Sequence, residues 1–307
     1  MTLSRTTSER RLFRTIGALL AGVVLLVTAC QGDPTPPDEP PAPADAAPSA
    51  APTSSAEGCP VPVREPLTGD GGDALRISLY GFTAPSQAND YAFSAESLSR
   101  HPELLTRQLG WQGLVDRGAF MVGGGELHFS VTNTGPEPVT IYNARPVNIV
   151  RECMPLGLAM LFRSEGGSSL TFRFNLDAAA PRARPMDGRQ DGPGFFEKRR
   201  IEVGADRKVN LSALFDTADG AYSFDLALEY EVGGVNHVQL VRLGAAPMRI
   251  AAALCPTREV RQRLSDEQVA RLRGLRYQHV KVRRNNNGVF SVGSVSPEAH
   301  AKRCRTL

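Results

Sequence analysis

Residues 127–141 read LHFSVTNTGPEPVTI: Leu127, Phe129 and Val131 alternate with His128, Ser130 and Thr132 until Asn133-Thr134-Gly135-Pro136 breaks the run. A period of two marks a strand with one buried face, and Asn, Gly and Pro are the residues that turns demand. The pattern continues outward. PVTIYNARPVNIVREC (138–153) reads as a second strand, with Pro146 pointing to an edge or a bulge. LTFRFNLD (170–177) sets four apolar residues against four polar ones. RIEVGADRKVNLSAL (200–214) reads as strand, turn, strand; YSFDLALEYEV (222–232) and NHVQLVRLG (236–244) form a hairpin around Gly233-Gly234; PMRIAAAL (247–254) is a last strand. No helical period interrupts the series. The expected fold is mainly β, an antiparallel β-sandwich rather than βαβ units.

The 127–141 stretch also resembles the opening strand pair of immunoglobulin-like modules on bacterial surfaces, in which an F-x-V-x-N-T-G segment enters a turn and then a second strand. The resemblance implies an immunoglobulin-like sandwich over residues 118–254 and brings no functional residues. The Cys-Trp-Cys core of antibody domains is missing, since Trp111 precedes the first of these strands.

Small α+β segments are expected on either side. In residues 59–117, DALRISLYGF (73–82) reads as a strand, and His101-Pro102-Glu103 opens a helix that runs through Leu109 to a stop at Gly110. In residues 255–307, Ser265 and Gln268 make a capping box for a helix ending at Gly274, and YQHVKVRR and VFSVGSV flank Asn285-Asn286-Asn287-Gly288 as a hairpin.

At the other end, MTLSRTTSERRLFRTIGALLAGVVLLVTAC joins a basic segment to an apolar run from Ile16 to Val27. Those twelve residues fall short of the ~20 a membrane-spanning helix needs but suit a signal peptide. Val27-Thr28-Ala29-Cys30 resembles the lipobox of bacterial lipoproteins. The resemblance implies cleavage between Ala29 and Cys30 (residues 1–29 being removed), acylation of Cys30 and anchoring to the extracytoplasmic face of the cell membrane. Arg10-Arg11-Leu12-Phe13 is similar to the centre of a twin-arginine signal, although Glu9 and Arg14 depart from it, so both export routes stay open. Residues 31–58 carry eight prolines, five acidic residues and no base. Such a stretch cannot bury enough apolar surface to offset its ordering entropy, and is expected to be a disordered tether.

Removing Cys30 leaves Cys59, Cys153, Cys255 and Cys304, an even set in an exported chain, which points to two disulfides. Four cysteines allow three pairings. Cys255–Cys304 is the favoured one, because it would staple a C-terminal segment too small to stand alone; Cys59–Cys153 would then close the first half.

Catalytic chemistry is not written in any motif. Gly-x-Ser-x-Gly, HExxH, the P-loop and the dinucleotide fingerprint are all missing, and Gly166-Gly167-Ser168-Ser169 reads as a loop. Gly123-Gly124-Gly125 reads as a turn feeding the strand that contains Leu127. Asp187–Gly192 lacks the alternating oxygens of a calcium loop. His128 and His237 would need to meet across a sheet to hold a metal, and Glu229 with Glu231 reads as a polar strand face. No catalytic residue, metal or cofactor is expected.

With 41% of its 307 residues hydrophobic, the chain is neither disordered throughout nor a multi-span membrane protein. Its charge is polarised. Residues 256–307 hold twelve basic and four acidic side chains, net +8; residues 31–255 hold 19 and 27, net −8. Arg271, Arg273, Arg276, Lys281, Arg283 and Arg284 form a candidate patch for an anionic envelope polymer, lipid headgroup or acidic protein, or else balance the acidic body. Nucleic acid is not an expected partner. The reading is a membrane-anchored, non-enzymatic binding module of the cell envelope, with an envelope enzyme or small-ligand receptor as the alternative.

Overall fold

The alternation around Phe129 becomes the middle of a sheet because both edges of that strand find partners. Gly125–Asn133 pairs antiparallel with Leu75–Thr83 on one side and with Lys208–Asp216 on the other. The computed structural model describes residues 59, 61–62, 66–70, 74–83, 88–163, 172–186, 192–286 and 289–306. Ala29, Cys30, the tether, the 166–169 loop, residues 187–191 and the Asn287-Gly288 turn lie outside them.

In chain order the strands are β1 (Val61–Pro62), β2 (Leu75–Thr83), β3 (Ala88–Phe93), β4 (Phe120–Val122), β5 (Gly125–Asn133), β6 (Val139–Arg151), β7 (Leu158–Arg163), β8 (Phe172–Asn175), β9 (Ile201–Val203), β10 (Lys208–Asp216), β11 (Ala221–Val232), β12 (Val235–Val241), β13 (Met248–Ala251), β14 (His279–Asn286) and β15 (Val289–Val295). The helices are α1 (Ala95–Arg100), α2 (Trp111–Asp116), α3 (Phe195–Lys198), α4 (Arg258–Arg261), α5 (Asp266–Gly274) and α6 (Pro297–Thr306).

The molecule is mainly β, and two sheets make the sandwich. One has four strands in the order β2-β5-β10-β8; the other follows β1-β6-β11-β13-β4-β3-β7-β14-β15, with β9 on β6 and β12 on β11. Phe215 of the small sheet meets Phe224 of the large one at 4.6 Å between ring centroids, and stacks on Phe174 at 5.1 Å. Leu127, Phe129, Val131, Ile141, Leu228 and Tyr230 are buried in the same core. Gly125 permits the closest approach: a Cβ there would lie 2.3 Å from the Phe82 ring and 3.1 Å from Ile250. That is why the glycine run leads directly into β5.

Several expectations meet their elements closely. Gly233 and Gly234, at φ +55° and +78°, turn β11 into β12 as a two-residue hairpin requires. Ser265 and Gln268 form the reciprocal capping box of α5. Near Pro146 the β6–β11 register shifts between Ser223 and Asp225, opposite Asn148 at φ +54°. Cys59–Cys153 and Cys255–Cys304 are the two disulfides.

Other expectations are corrected. The helix from His101 to Leu109 is not formed. His101 instead caps the C-terminus of α1, and Pro102–Leu105 is a single 3₁₀ turn. The helix that does form is started by Ser94, whose side chain accepts the Ser97 N–H at 3.0 Å. The sheets are mixed rather than wholly antiparallel: β4·β13, β7·β14 and β8·β10 are parallel pairs. Such pairs need long crossovers, which these strands, far apart in sequence, provide. Strands from either side of residues 118–254 enter the sheets of that segment: β2 lies beside β5, and β14 beside β7. Among the described residues no helix is long and apolar enough to cross a membrane.

Candidate functional site

A cleft of about 520 Å³ lies where α1, α2 and the β12–β13 connection converge. Ser94 and Ser97 enter it from α1, Arg100 and His101 from the end of that helix, Arg117 and Gly118 from the end of α2, and Arg249 from β13. Each group is placed by local sequence. Gly118 adopts φ +80° to end α2 and turn the chain into β4. A Cβ at this position would lie 3.1 Å from both Arg249 Nη1 and Ser97 Oγ. Glycine therefore lets the guanidinium and the hydroxyl share the cleft floor.

The cations around this cleft differ in what they already hold. Arg117 Nε donates to Glu103 Oε1 at 2.8 Å and its Nη1 to the Gly113 carbonyl at 3.0 Å; this guanidinium holds the Glu103 carboxyl below its ordinary pKa. Arg100 pairs with Glu96 one helical turn away at 3.3 Å. Among the acids, Glu152 accepts from Ser223 Oγ at 2.6 Å and Asp116 from Gln112 at 2.9 Å. Arg249 is half-buried over the Phe120 ring, 5.8 Å from its centroid, and makes no ion pair with any described residue. An aromatic face supports a guanidinium without occupying its in-plane donors, and among the described residues none accepts a hydrogen bond from the Arg249 guanidinium.

A second polar row lies on the outer face of the small sheet. His128 Nδ1 is 3.1 Å from Ser212 Oγ, and its Nε2 stands 3.1 Å from Glu126 Oε1, off the line of a hydrogen bond. Ser-His-Glu is the residue set of nucleophilic hydrolysis, but two features oppose that chemistry here. Ser212 is only 5% exposed. The ladder of β10 with β5 runs unbroken from Lys208 to Phe215, so successive amides beside Ser212 point to opposite edges of the strand and cannot converge on an oxyanion. The row braces the face of a sheet. His237 is elsewhere, on β12 in the large sheet, with Asp70 at 3.6 Å and Tyr230 stacked beneath it. The two histidines do not meet. Glu229 accepts from Arg145 and Asn143 within its own sheet.

Three of the basic C-terminal residues have partners within the chain. Arg271 bonds the Asp219 carboxylate and its carbonyl. Arg276 donates to the carbonyls of Arg273 and Leu275 at the end of α5. Lys281 reaches inward to the Leu104 carbonyl at 3.0 Å, and partial burial lowers its pKa. Arg273 and Arg283 are exposed; Arg284 lies on β14. For Arg271 the charge is structural. Reversing it to Glu, against an Asp219 that is 13% exposed, is expected to lower folding stability by about 1 kcal/mol. Chemical denaturation of R271E against the parent checks this, and an unchanged midpoint would leave Arg271 free to serve a partner.

Arg249 and the cleft were not legible in the sequence, because Arg100, Arg117 and Arg249 come from three separate segments. The one available signal was Gly118 following Asp116-Arg117 at a helix end. A third cluster, Cys255, His300 and Cys304, brings three ligand-type atoms within 4.8 Å of one another. No family model matches the chain, and no curated protein or solved structure matches it either.

Proposed function

We propose that the protein is a lipid-anchored lipoprotein of the extracytoplasmic face of a bacterial cell membrane. In this reading it acts as a non-enzymatic binding module, and its α1–α2–β13 cleft receives the carboxylate or phosphate group of a small ligand. The anchor rests on Val27-Thr28-Ala29-Cys30 and the proline-rich stretch behind it. Two disulfides support an oxidising compartment. The observation that carries the binding reading is Arg249, which presents unused in-plane donors in a half-enclosed space beside Ser97. A guanidinium suits planar, bidentate capture of an oxyanion. The internal partners of Arg271, Arg276 and Lys281 favour this cleft over the basic C-terminal end.

The test uses the full chain purified from membranes in detergent. Its intact mass is expected to be that of a chain beginning at acylated Cys30. Thermal unfolding is then followed against a panel of carboxylates and phosphate monoesters. At least one should raise the midpoint saturably, with the shift lost in Arg249→Gln and kept in Arg273→Gln, which removes an exposed charge elsewhere. A panel without effect, or a shift that Arg249→Gln retains, removes the cleft as the binding site.

A further inference from the structure

The C-terminal disulfide has a companion that the other lacks. Cys255 lies just beyond β13, and α6 carries His300 and Cys304 four residues apart, a spacing that puts both on one helical face. His300 Nε2 is 3.7 Å from Cys255 Sγ and 4.0 Å from Cys304 Sγ. Among the described residues no third ligand of this kind stands beside Cys59–Cys153. The imidazole is backed by the buried Tyr277 ring, which packs against it at 5.7 Å and 61°. Burial, with Arg303 and Arg276 nearby, holds His300 below its ordinary pKa.

We propose that Cys255, Cys304 and His300 form a redox-gated site for a thiophilic divalent ion such as Zn²⁺ or Cd²⁺, with the disulfide and the metal as alternative occupants. A dithiol opens the site: it takes the place of the protein disulfide, leaves as its own cyclic disulfide, and gives two electrons and two protons to the Cys255 and Cys304 sulfurs. Binding of the ion then releases those two protons to solvent. Two thiolates and a neutral imidazole bring the charge of the bound ion to zero, which a half-buried site surrounded by arginines tolerates. Tetrahedral zinc with Zn–S of about 2.3 Å and Zn–N of about 2.0 Å needs its ligand atoms roughly 3.5–3.8 Å apart. The imidazole–sulfur distances already lie in or near that range, and Cα atoms 4.9 Å apart let the sulfurs reach it by side-chain rotation. Three protein ligands leave the fourth position to water.

The experiment uses the full chain carrying Cys30→Ser, so that only the four paired cysteines remain. The chain is reduced with a dithiol, freed of it anaerobically, and titrated with Cd²⁺. One equivalent should produce a thiolate-to-cadmium charge-transfer band, and the oxidised chain should give none. His300→Ala should weaken binding at least tenfold, while Cys59→Ser/Cys153→Ser should leave it unchanged. X-ray absorption of the zinc-loaded chain needs no further variant, and should find two sulfurs and one imidazole per zinc. A band that survives Cys255→Ser/Cys304→Ser overturns the proposal. So does a zinc shell of four sulfurs, or one without imidazole.

Discussion

Phe215→Ala is expected to lose about 4 kcal/mol of folding stability, within the range for deleting a fully buried phenylalanine. The ring is completely buried and joins the two layers of the sandwich. It stacks on Phe174 at 5.1 Å, meets Phe224 at 4.6 Å, and takes an edge contact from Phe82 at 6.5 Å. Alanine forfeits the transfer free energy of the ring and leaves a void between two sheets. The sheets cannot readily close on that void, because Ile250 of the large sheet already lies against Gly125 of the small one. Phe215→Leu, which fills most of the volume, should cost about 1–2 kcal/mol. Denaturant unfolding of both variants measures the difference. Equal costs for Ala and Leu would mean that the aromatic contacts, rather than the void, set the penalty.

Opening the Cys59–Cys153 disulfide by substituting both cysteines with serine is expected to cost about 4 kcal/mol, and to lower the thermal midpoint by roughly 8–16 °C. The bond spans 94 residues, and closing so long a loop removes much of the entropy of the unfolded chain. It also holds a weak element in place. β1 has two residues, and pairs Val61 and Pro62 with Arg151 and Val150 at the end of β6, too little to stay docked by its own ladder. The double variant should therefore lose amide-exchange protection at Val61 before the core strands do. Uniform protection across β6 and β1 would show that β1 pairs without the bond.

Much of this fold could be read from alternation and turn chemistry. Apolar and polar side chains alternate along β5, β8, β11 and β12, where Phe129, Phe172, Leu226 and Val238 stand, although Ser130, Ser223 and Asp225 in the polar rows are themselves buried. The Gly233-Gly234 turn and the Ser265 capping box are local and equally visible. The strands that escaped are short or buried on both faces. β4 is three residues, and β7, with Leu158, Ala159 and Met160 all buried, shows no alternation. Helices α1 and α2 span six residues each, too short for a helical period to emerge.

The sequence by itself determined a β-rich sandwich and the even set of four cysteines, because each depends on local pattern or count; which cysteines pair was decided by the fold. It also carries the lipobox-like Cys30 and the proline-rich stretch on which the proposed anchor rests. Only the tertiary structure decided that β2 and β14 enter the sheets of the central segment and that three strand pairs run parallel. It alone decided that Arg271 pairs with Asp219 and Lys281 turns inward, and that Arg249, Ser97 and Gly118 meet in one cleft. Those outcomes depend on contacts between residues tens to more than a hundred positions apart. The free energy of such contacts comes from burial and charge pairing at a geometry that no local period encodes.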